Sequence, residues 1–561
     1  MCGIWALFGI ESKSIAHCDD SFFKIKHRGP DAWRVQHDQE VKDGYLGFVR
    51  LTIIDSTYGM QPLVLHQAPH LSVICNGELY NHKALGEQFG FDYETKGDIE
   101  CILQLYNNFG IEKVVENLDG VFAFVLVDKR AQKIYAGRDP YGVRPLFRLV
   151  ADDGVVGFSS EAKGLINLEN MIPKSKFKVE QYPPGHYSEY KINPDGKCSL
   201  VSEKRYYTVG MKPRFQLYTD PSSLVPNDVC QNNRTLLFAS VRKRLMSERR
   251  IGCLLSGGLD SSLIAGILVQ ESKAAGIPYK IQTFAIGMGE SPDILAARQV
   301  AAHLGTEHHE INFTAEDVAS VLDEVVYHLE TADITTIRAS VGMYLLSRYI
   351  KEKTDSTVIF SGEGADEVCQ GYIYFRDAPD AVAGDKESRR LLSDIYMYDG
   401  LRADRTTAAH SLELRVPFLD QEFTHYYLNL PAELRQPRDG VEKFLLRSAF
   451  DKLNLIPDSI LWRHKEAFSD GVASIKKSLF QVIQEFIDPK VPNDALNSAE
   501  KLYPHCTPKT KESFYYRKVF EKFYHDQAGW LLPYFWMPRW TNVSDPSARF
   551  IKHYAAKDDG S

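Results

Sequence analysis

The chain has 561 residues, 44% hydrophobic and 25% charged, ordinary proportions for a globular protein of two to four domains. Its 66 basic and 74 acidic residues give a net charge of −8, which excludes a general basic surface for nucleic acid. The nine cysteines form no C-x-x-C pair, no apolar run approaches the ~18 residues of a membrane helix, and the N-terminus lacks the basic start of a signal peptide. We therefore expect a cytosolic protein that has neither nucleic acid nor membrane as a partner.

The first 205 residues are predicted to form a β-rich domain. Apolar or alternating runs, separated by Gly, Asp and Asn, occur at Tyr45–Ile54, Leu71–Cys75, Val121–Val127 and Lys133–Ala136. The last two runs are joined through Asp128-Lys129-Arg130 and predict a β-hairpin.

Residues 206–228 are predicted to be a linker, because three prolines interrupt a polar stretch. From 229 to 561 strands alternate with helices, as in a parallel α/β sheet. Four short apolar runs predict the strands, at Ile251–Leu255, Ile281–Ile286, His308–Phe313 and Val358–Phe360. Beyond Gly371 the chain is predicted to be mostly helical.

Two helices of this second half have clear end signals. Ser291 and Pro292 open the first and Gly305 closes it, which is the expected order of capping residues. Thr314 caps the second, whose apolar residues follow the i, i+3, i+4, i+7 spacing of one buried face from Val318 onward.

Cys2 is the first candidate for chemistry. It follows Met1 and precedes the small residue Gly3. If Met1 is removed, Cys2 carries an α-amine with an ordinary pKa of about 7.7–8.0, so one residue supplies both a nucleophile and its base. Taken alone, the same cysteine is equally explained as a small buried apolar residue.

Several motifs in the first 165 residues occur together with Cys2. They are His27-Arg-Gly-Pro-Asp31, Arg50-Leu-Thr-Ile-Ile-Asp55, Asn76-Gly-Glu-Leu-Tyr-Asn81, Gly97-Asp98, Arg138-Asp-Pro-Tyr-Gly-Val-Arg-Pro145 and Ser159-Ser-Glu-Ala-Lys163. Together they resemble the class II glutamine amidotransferase domain, an N-terminal-nucleophile hydrolase. The resemblance implies an α+β sandwich of αββα layers for residues 1–205.

The resemblance also implies roles for individual residues. Cys2 would attack the glutamine amide, and the Asn76 amide with the Gly77 backbone N–H would stabilise the oxyanion. Arg50 would pair with the glutamine carboxylate, for which a guanidinium is suited, and Glu78 and Asp98 would face its α-ammonium. Leu51 and Ile54 would complete the glutamine pocket.

The second candidate site is the stretch Leu254–Ser262, LLSGGLDSS. A strand, a glycine turn and a helix follow one another here, so free backbone N–H groups point at an anion. The stretch lacks the Gly-Lys-Ser/Thr of a Walker loop. It resembles the pyrophosphate-binding loop of the N-type ATP pyrophosphatases. With the N-terminal domain, the whole chain is similar to the glutamine-hydrolysing asparagine synthetases.

This resemblance implies an α/β parallel-sheet ATP pyrophosphatase domain with a helical C-terminal part, two half-reactions and a homodimer. The implied ATP-binding residues are Leu255, Ser256, Gly257, Gly258, Asp260, Ser261, Ile286, Gly287, Met288, Ser361, Gly362 and Glu363. Asp260 and Asp366 are candidate Mg²⁺ carboxylates. Lys465 would meet charge on the leaving pyrophosphate. Glu363 would deprotonate or guide ammonia, and Arg338 or Arg402 would bind aspartate.

Structural alternatives stay open for some of these residues. Asp366 and Glu367 are also explained as helix caps. Arg402, Asp404 and Arg405 are equally well explained as a solvated helix face. Ala365 replaces the Ser expected in the motif around Gly362, and Ala332 replaces an aromatic residue, which leaves the assigned catalytic groups in place.

Four other functions compete with this prediction. Another acceptor carboxylate would keep both half-reactions, and only the resemblance selects aspartate. A β-lactam synthetase would lack a working Cys2, and a silent scaffold would lack Cys2, Asp260, Glu363 or Lys465. An RNA-modifying relative would require a basic surface, against which the net charge of −8 argues.

Overall fold

The computed structural model describes residues 1–10, 20–42, 44–166, 168, 176–215, 224–464, 479–543 and 545–546. Two antiparallel six-stranded sheets form the N-terminal half. Its strands are β1 Gly3–Phe8, β2 Ala32–Asp38, β3 Gly44–Arg50, β4 Leu63–Leu65, β5 Ala68–Leu79, β6 Gly120–Asp128, β7 Lys133–Arg138, β8 Phe147–Ala151, β9 Val156–Ser159, β10 Phe177–Gln181, β11 His186–Ile192 and β12 Cys198–Arg205. The sheet orders are β10-β8-β9-β1-β3-β2 and β12-β11-β7-β6-β5-β4.

The two sheets pack face to face over an apolar layer that includes Ile4 and Ala6 of β1 and Val125 of β6. Three helices, α1 His82–Phe89, α2 Glu100–Phe109 and α3 Ile111–Asn117, cover the outer face of the second sheet. The outer face of the first sheet packs on the 3₁₀ helix Phe23–Arg28 and on helices of the C-terminal half. This confirms the expected sandwich.

The β-hairpin is also confirmed, since β6 and β7 pair antiparallel from Ala123–Arg138 to Asp128–Lys133. The run predicted as a strand over Tyr45–Ile54 is shorter, because β3 ends at Arg50. Beyond it the chain turns back, and the carbonyls of Ile54 and Asp55 accept hydrogen bonds from the Arg50 guanidinium.

The C-terminal half is built on one parallel sheet of order β15-β14-β13-β16-β17. Its strands are β13 Arg250–Leu254, β14 Gln282–Gly287, β15 Glu307–Asn312, β16 Ser356–Phe360 and β17 Glu413–Arg415. The four predicted strands are confirmed, and β17 was missed because three residues are too few to show a period. The order reverses between β13 and β16, which is where such sheets bind ligands.

Helices surround this sheet, and they form most of the regular secondary structure among the described residues beyond Gly371, as expected. Those of the described residues are α4 Pro226–Lys243, α5 Leu259–Ala274, α6 Pro292–Leu304, α7 Ala315–Leu329, α8 Ile334–Lys353, α9 Ala365–Val368, α10 Ala381–Asp394, α11 Asp399–Ala408, α12 Gln421–Asn429, α13 Ala432–Arg435, α14 Phe444–Phe450, α15 Asp458–Leu461, α16 Leu479–Ile487, α17 Ala499–Leu502, α18 Lys511–Phe523 and α19 Ala528–Leu531. Within the described ranges none of them is long and apolar enough to cross a membrane.

The predicted helix ends are confirmed. Ser291 accepts from the Ile294 backbone N–H, and Gly305 adopts φ +68° at the other end of α6. Thr314 forms a complete capping box with Asp317 at the start of α7.

The possibility that Arg402, Asp404 and Arg405 form a solvated face is wrong. All three are buried on α11, with exposures of 8%, 2% and 1%. They face the cavity of this half or the N-terminal sandwich, and each has charged partners there. Charged residues at helical spacing therefore mark an interface here.

Candidate active sites

A cavity of about 50 Å³ lies beside Cys2, at the open end of the sandwich. Seven of the residues predicted for the first chemistry line it: Cys2, Arg50, Leu51, Ile54, Gly77, Glu78 and Asp98. Cys2 precedes β1, Arg50 ends β3, and Gly77 and Glu78 belong to β5, so the two sheets bring these residues together.

Asn76 is the one predicted residue of this set outside the cavity wall. It lies two residues after Ile74 on β5 and shares its face, so its side chain lies in the layer between the sheets, against which Cys2 also packs. Its amide N and O atoms are buried and have no hydrogen-bond partner among the described residues. An unpaired buried amide is costly, which indicates a ligand that completes its hydrogen bonding.

Arg50 is buried and fixed in orientation. Its Nη2 donates to the Ile54 carbonyl at 3.4 Å and to the Asp55 carbonyl. These bonds use one side of the guanidinium and hold it in the cavity wall, where it can bind a carboxylate.

Glu78 and Asp98 are buried acidic groups that lie near other charged side chains. Burial raises the pKa of Glu78 well above its usual range, and nearby Glu413 raises it further. Burial also raises the pKa of Asp98. The hydrogen bond of 2.6 Å that its carboxylate accepts from the Leu79 N–H acts in the opposite direction and lowers this pKa. A ligand cation would restore the charged form of both carboxylates.

The Cys2 thiol and the Met1 α-amine both lie in a desolvated environment. Burial raises the pKa of the Cys2 thiol to about 11 while Met1 is present, and burial lowers the pKa of the Met1 α-amine to about 5. The Sγ atom accepts from the Leu51 N–H at 3.4 Å. The nearby Met1 α-amine acts to lower the pKa of the thiol, so burial is the cause of its rise.

A second cavity, of about 320 Å³, lies at the carboxyl ends of β13, β14 and β16. Most of the residues predicted for nucleotide, metal and aspartate line it: Leu255, Ser256, Gly258, Asp260, Ser261, Ile286, Arg338, Ser361, Gly362, Glu363, Asp366 and Arg402. The switch in strand order thus coincides with the predicted site.

The glycine loop is shaped as expected for an anion. Gly258 is the N-cap of α5, and the Ser256 and Ser261 side chains bond one another at 3.1 Å across the loop. Gly362 allows β16 to approach, because a Cβ there would lie 2.8 Å from the Ser261 nitrogen. The first N–H groups of α5 therefore face the cavity at close range.

Three predicted nucleotide residues do not line the cavity. Gly257 has φ +73° and faces α6, where a Cβ would lie 2.5 Å from the Ala297 nitrogen. Gly287 is the last residue of β14. Met288 packs against an apolar cluster. Gly257 was predicted to bind the nucleotide, whereas its position requires a glycine because α6 packs against it. Lys465 lies outside the described residues.

Lys443 is a residue that the sequence reasoning missed. It is 2% exposed, and its ammonium pairs with both Asp260 and Asp366, the latter at 2.6 Å. The two carboxylates therefore converge on one point. Asp260 Oδ1 has no hydrogen-bond partner among the described residues, which fits an additional cation such as Mg²⁺. No motif marks Lys443, which has the unusual φ of +56°.

Both candidate arginines reach the cavity wall with acidic partners. Arg338 donates to Glu512 at 2.6 and 2.8 Å and to Asp545 at 2.9 Å. Arg402 donates to Glu363 at 2.9 Å and to Asp399. The geometry does not select between them.

Comparisons with known proteins match both halves of the chain. The family model "Glutamine amidotransferase domain" matches residues 1–199, and "Asparagine synthase" matches residues 232–389 and 379–542. The chain is 54% identical over 559 residues to "Asparagine synthetase [glutamine-hydrolyzing]" of Gallus gallus. It is 52% identical to the proteins of that name from Bos taurus and Homo sapiens, and each alignment covers 99% of both chains.

The loop geometry generates a stability prediction. Gly257→Ala should lower the free energy of unfolding by about 2–4 kcal/mol, since it adds a clash with α6 to the strain of a positive φ. Gly276→Ala is the matched control, because φ is +69° there and nothing lies within 4 Å of its Cβ. Urea unfolding should show a loss of only about 1 kcal/mol for the control. Equal losses would contradict the packing role of Gly257.

Proposed function

This chain belongs to the family of glutamine-hydrolysing asparagine synthetases, and on that premise we propose which of its residues carry each half-reaction. The enzyme is a carbon–nitrogen ligase: L-aspartate, L-glutamine and ATP give L-asparagine, L-glutamate, AMP and pyrophosphate. The curated relatives, matched over 99% of their length, do not favour another acceptor carboxylate.

The N-terminal cavity binds glutamine. Seven of the eight residues expected to handle it line that cavity, and this convergence carries the proposal. Arg50 binds the α-carboxylate, and Glu78 with Asp98 binds the α-ammonium. Leu51 and Ile54 contact the methylene carbons between them.

Cys2 performs the hydrolysis once Met1 is removed. Its Sγ attacks the amide carbon while its own α-amine takes the thiol proton. The Asn76 amide and the Gly77 N–H stabilise the oxyanion. The α-ammonium then returns the proton to the departing nitrogen, and collapse gives ammonia and a γ-glutamyl thioester. Water then releases glutamate. The oxyanion pairs with the Asn76 amide, which has no hydrogen-bond partner among the described residues.

The C-terminal cavity activates aspartate. The N–H groups at the start of α5 and the Ser256 and Ser261 hydroxyls bind the ATP phosphates. An oxygen of the aspartate β-carboxylate attacks the α-phosphorus, the α–β bond breaks, and pyrophosphate leaves from β-aspartyl-AMP. Asp260 and Asp366 would hold Mg²⁺, which neutralises phosphate charge. Lys443 adds positive charge next to them, and Lys465 is assigned to the leaving group.

Ammonia then replaces AMP on the β-carbonyl carbon, and Glu363 accepts its proton. Arg402 orients Glu363, and Arg338 and Arg402 are the two candidates for binding the aspartate carboxylate. Ammonia must avoid water, where it would be protonated, so we assign it a closed passage between the cavities. One apolar cluster spans both halves there, with Leu51 and Val143 on one side and Val416 and Phe418 on the other.

Four further assignments belong to the proposal. The domains are residues 1–205 and 229–561, joined by the linker 206–228. The assembly is a homodimer, as the family resemblance implies. The site of action is the cytosol, in keeping with the free state of the described cysteines. Nucleic acid and membranes are not partners, in keeping with the net charge of −8.

Replacement of the nucleophile separates the two half-reactions. Cys2→Ala should abolish glutamine-dependent asparagine formation, because no thioester can form. It should leave synthesis from ammonium chloride within about twofold of wild type, because the second cavity is intact. Asparagine and pyrophosphate are assayed with each nitrogen source. Equal loss of both activities, in folded protein, would contradict the two-site assignment.

The raised pKa values of Glu78 and Asp98 predict a pH effect on glutamine binding. Only the charged carboxylates bind an ammonium, so KM for glutamine should rise as the pH falls toward the raised pKa values. Glu78→Gln should raise KM at neutral pH by about tenfold or more and flatten its pH dependence. The KM for aspartate is the internal control. A pH-independent KM for glutamine would contradict the role of both acids.

A further inference from the structure

The motif His27-Arg28-Gly29-Pro30-Asp31 has a structural role that its resemblance does not explain. Arg28 ends the 3₁₀ helix Phe23–Arg28 and is fully buried. Its Nε donates to the backbone carbonyl of Cys2 at 3.0 Å, and its Nη1 donates to Glu161 at 2.7 Å. Arg28 therefore binds the main chain of the nucleophile directly.

Two further hydrogen bonds of Arg28 cross to the C-terminal half. Nη1 and Nη2 donate to the two carboxylate oxygens of Asp404 at 2.9 and 3.1 Å. Asp404 belongs to α11 and is 2% exposed. A bidentate ion pair of this kind fixes the plane of the guanidinium. The group that holds Cys2 is thus itself oriented by the other catalytic half.

The opposite side of α11 reaches the ATP cavity. Arg402 lies two residues before Asp404, about 200° around the helix. It lines that cavity and donates to Glu363 at 2.9 Å. One helix therefore joins the two sites by hydrogen bonds: Cys2 to Arg28, Arg28 to Asp404, and Arg402 to Glu363.

Glu161 cannot replace Asp404. The Glu161 carboxylate also pairs with Lys163, with His27 at 3.1 Å and with Arg405 at 3.5 Å. Its position is fixed by those partners, and it contacts Arg28 through one nitrogen only. Without the Asp404 charge, the Nη2 edge of Arg28 would lose its carboxylate partner.

We propose that Asp404 is a positioning residue of the glutaminase site, which acts through Arg28 on Cys2 and ties the rate at Cys2 to the position of α11. Ligands that contact Glu363 or Arg402 in the ATP cavity then change that rate. The inference rests on the proposed roles of Cys2 and of the ATP cavity.

Asp404→Asn tests this, because it keeps the shape of the side chain and removes its charge. We expect kcat for glutamine hydrolysis to fall about tenfold, with KM for glutamine within about twofold, since misplacement of a nucleophile affects the chemical step. In the wild type, ATP, Mg²⁺ and aspartate together should change kcat for glutamine hydrolysis, and in the variant this response should be lost. Ammonia-dependent synthesis should stay within about twofold.

Asp119→Asn is the matched control. Asp119 is also a buried carboxylate, 5% exposed, and it pairs across the same two halves with Lys243 at 2.6 Å. That pair does not involve Arg28 or Cys2. The control should keep kcat for glutamine hydrolysis, and its response to ligands, within about twofold of wild type.

Three results would overturn the inference: an unchanged kcat and ligand response in Asp404→Asn, the same losses in both variants, or an equal loss of ammonia-dependent synthesis.

If Asp404→Asn does not fold, a measurement on the wild-type enzyme replaces it. Alkylation of Cys2 by the glutamine analogue 6-diazo-5-oxo-L-norleucine should change in rate when ATP, Mg²⁺ and aspartate are added, and an unchanged rate overturns the inference. Glutamine hydrolysis by Cys2→Ala would instead refute the proposed function.

Discussion

A buried network of charges between the two halves is the interaction on which the arrangement depends. Three cations and three anions form it: Arg28, Lys163, Arg405, Glu161, Glu330 and Asp404. The charges balance, and each is at most 3% exposed. Buried charges are tolerated only when paired, and removal of one partner typically costs about 3–5 kcal/mol. The network therefore fixes one relative position of the two halves.

That position has consequences for both sites. Glu330 accepts hydrogen bonds from the backbone N–H groups of Ala162 and Lys163 at 2.9 and 2.8 Å, so the end of the first sheet is docked against α7. Arg405, next to Asp404 on α11, bonds Glu330 at 2.9 Å. The same helix faces the ATP cavity through Arg402. The chemistry requires such a fixed interface, because ammonia must travel between the cavities without contact with bulk water.

Much of this could be predicted from the sequence, because local signals and global fold agree. The strand, glycine turn and helix at Leu254–Ser262 predicted an anion site, and the structure places this loop at the switch in strand order. Cys2 and the residues around Arg50 and Glu78 were predicted as one set, and they line one cavity. Their motifs are contiguous, so each fixes a local geometry.

The rest depends on contacts between distant segments. The charged residues of α11 have the spacing of a solvated face, and only the docked sandwich shows that they are buried. Lys443 lies 183 residues from its partner Asp260 and belongs to no motif. Gly257 was predicted as a nucleotide residue, but its close neighbours are Ala296 and Ala297 of α6. The face of β5 toward which the Asn76 side chain points depends on the strand register, which cannot be read from the sequence.

The central claim is that ammonia passes between two fixed sites inside one chain. The most direct test supplies glutamine labelled with ¹⁵N in its amide, together with a pool of unlabelled ammonium too dilute to support synthesis by itself. Mass spectrometry then compares the label in the asparagine amide with that in the dissolved ammonium. The account predicts that the asparagine amide has nearly the same ¹⁵N enrichment as the glutamine amide, whatever the size of the ammonium pool. Asparagine with the isotopic composition of the pool would contradict it.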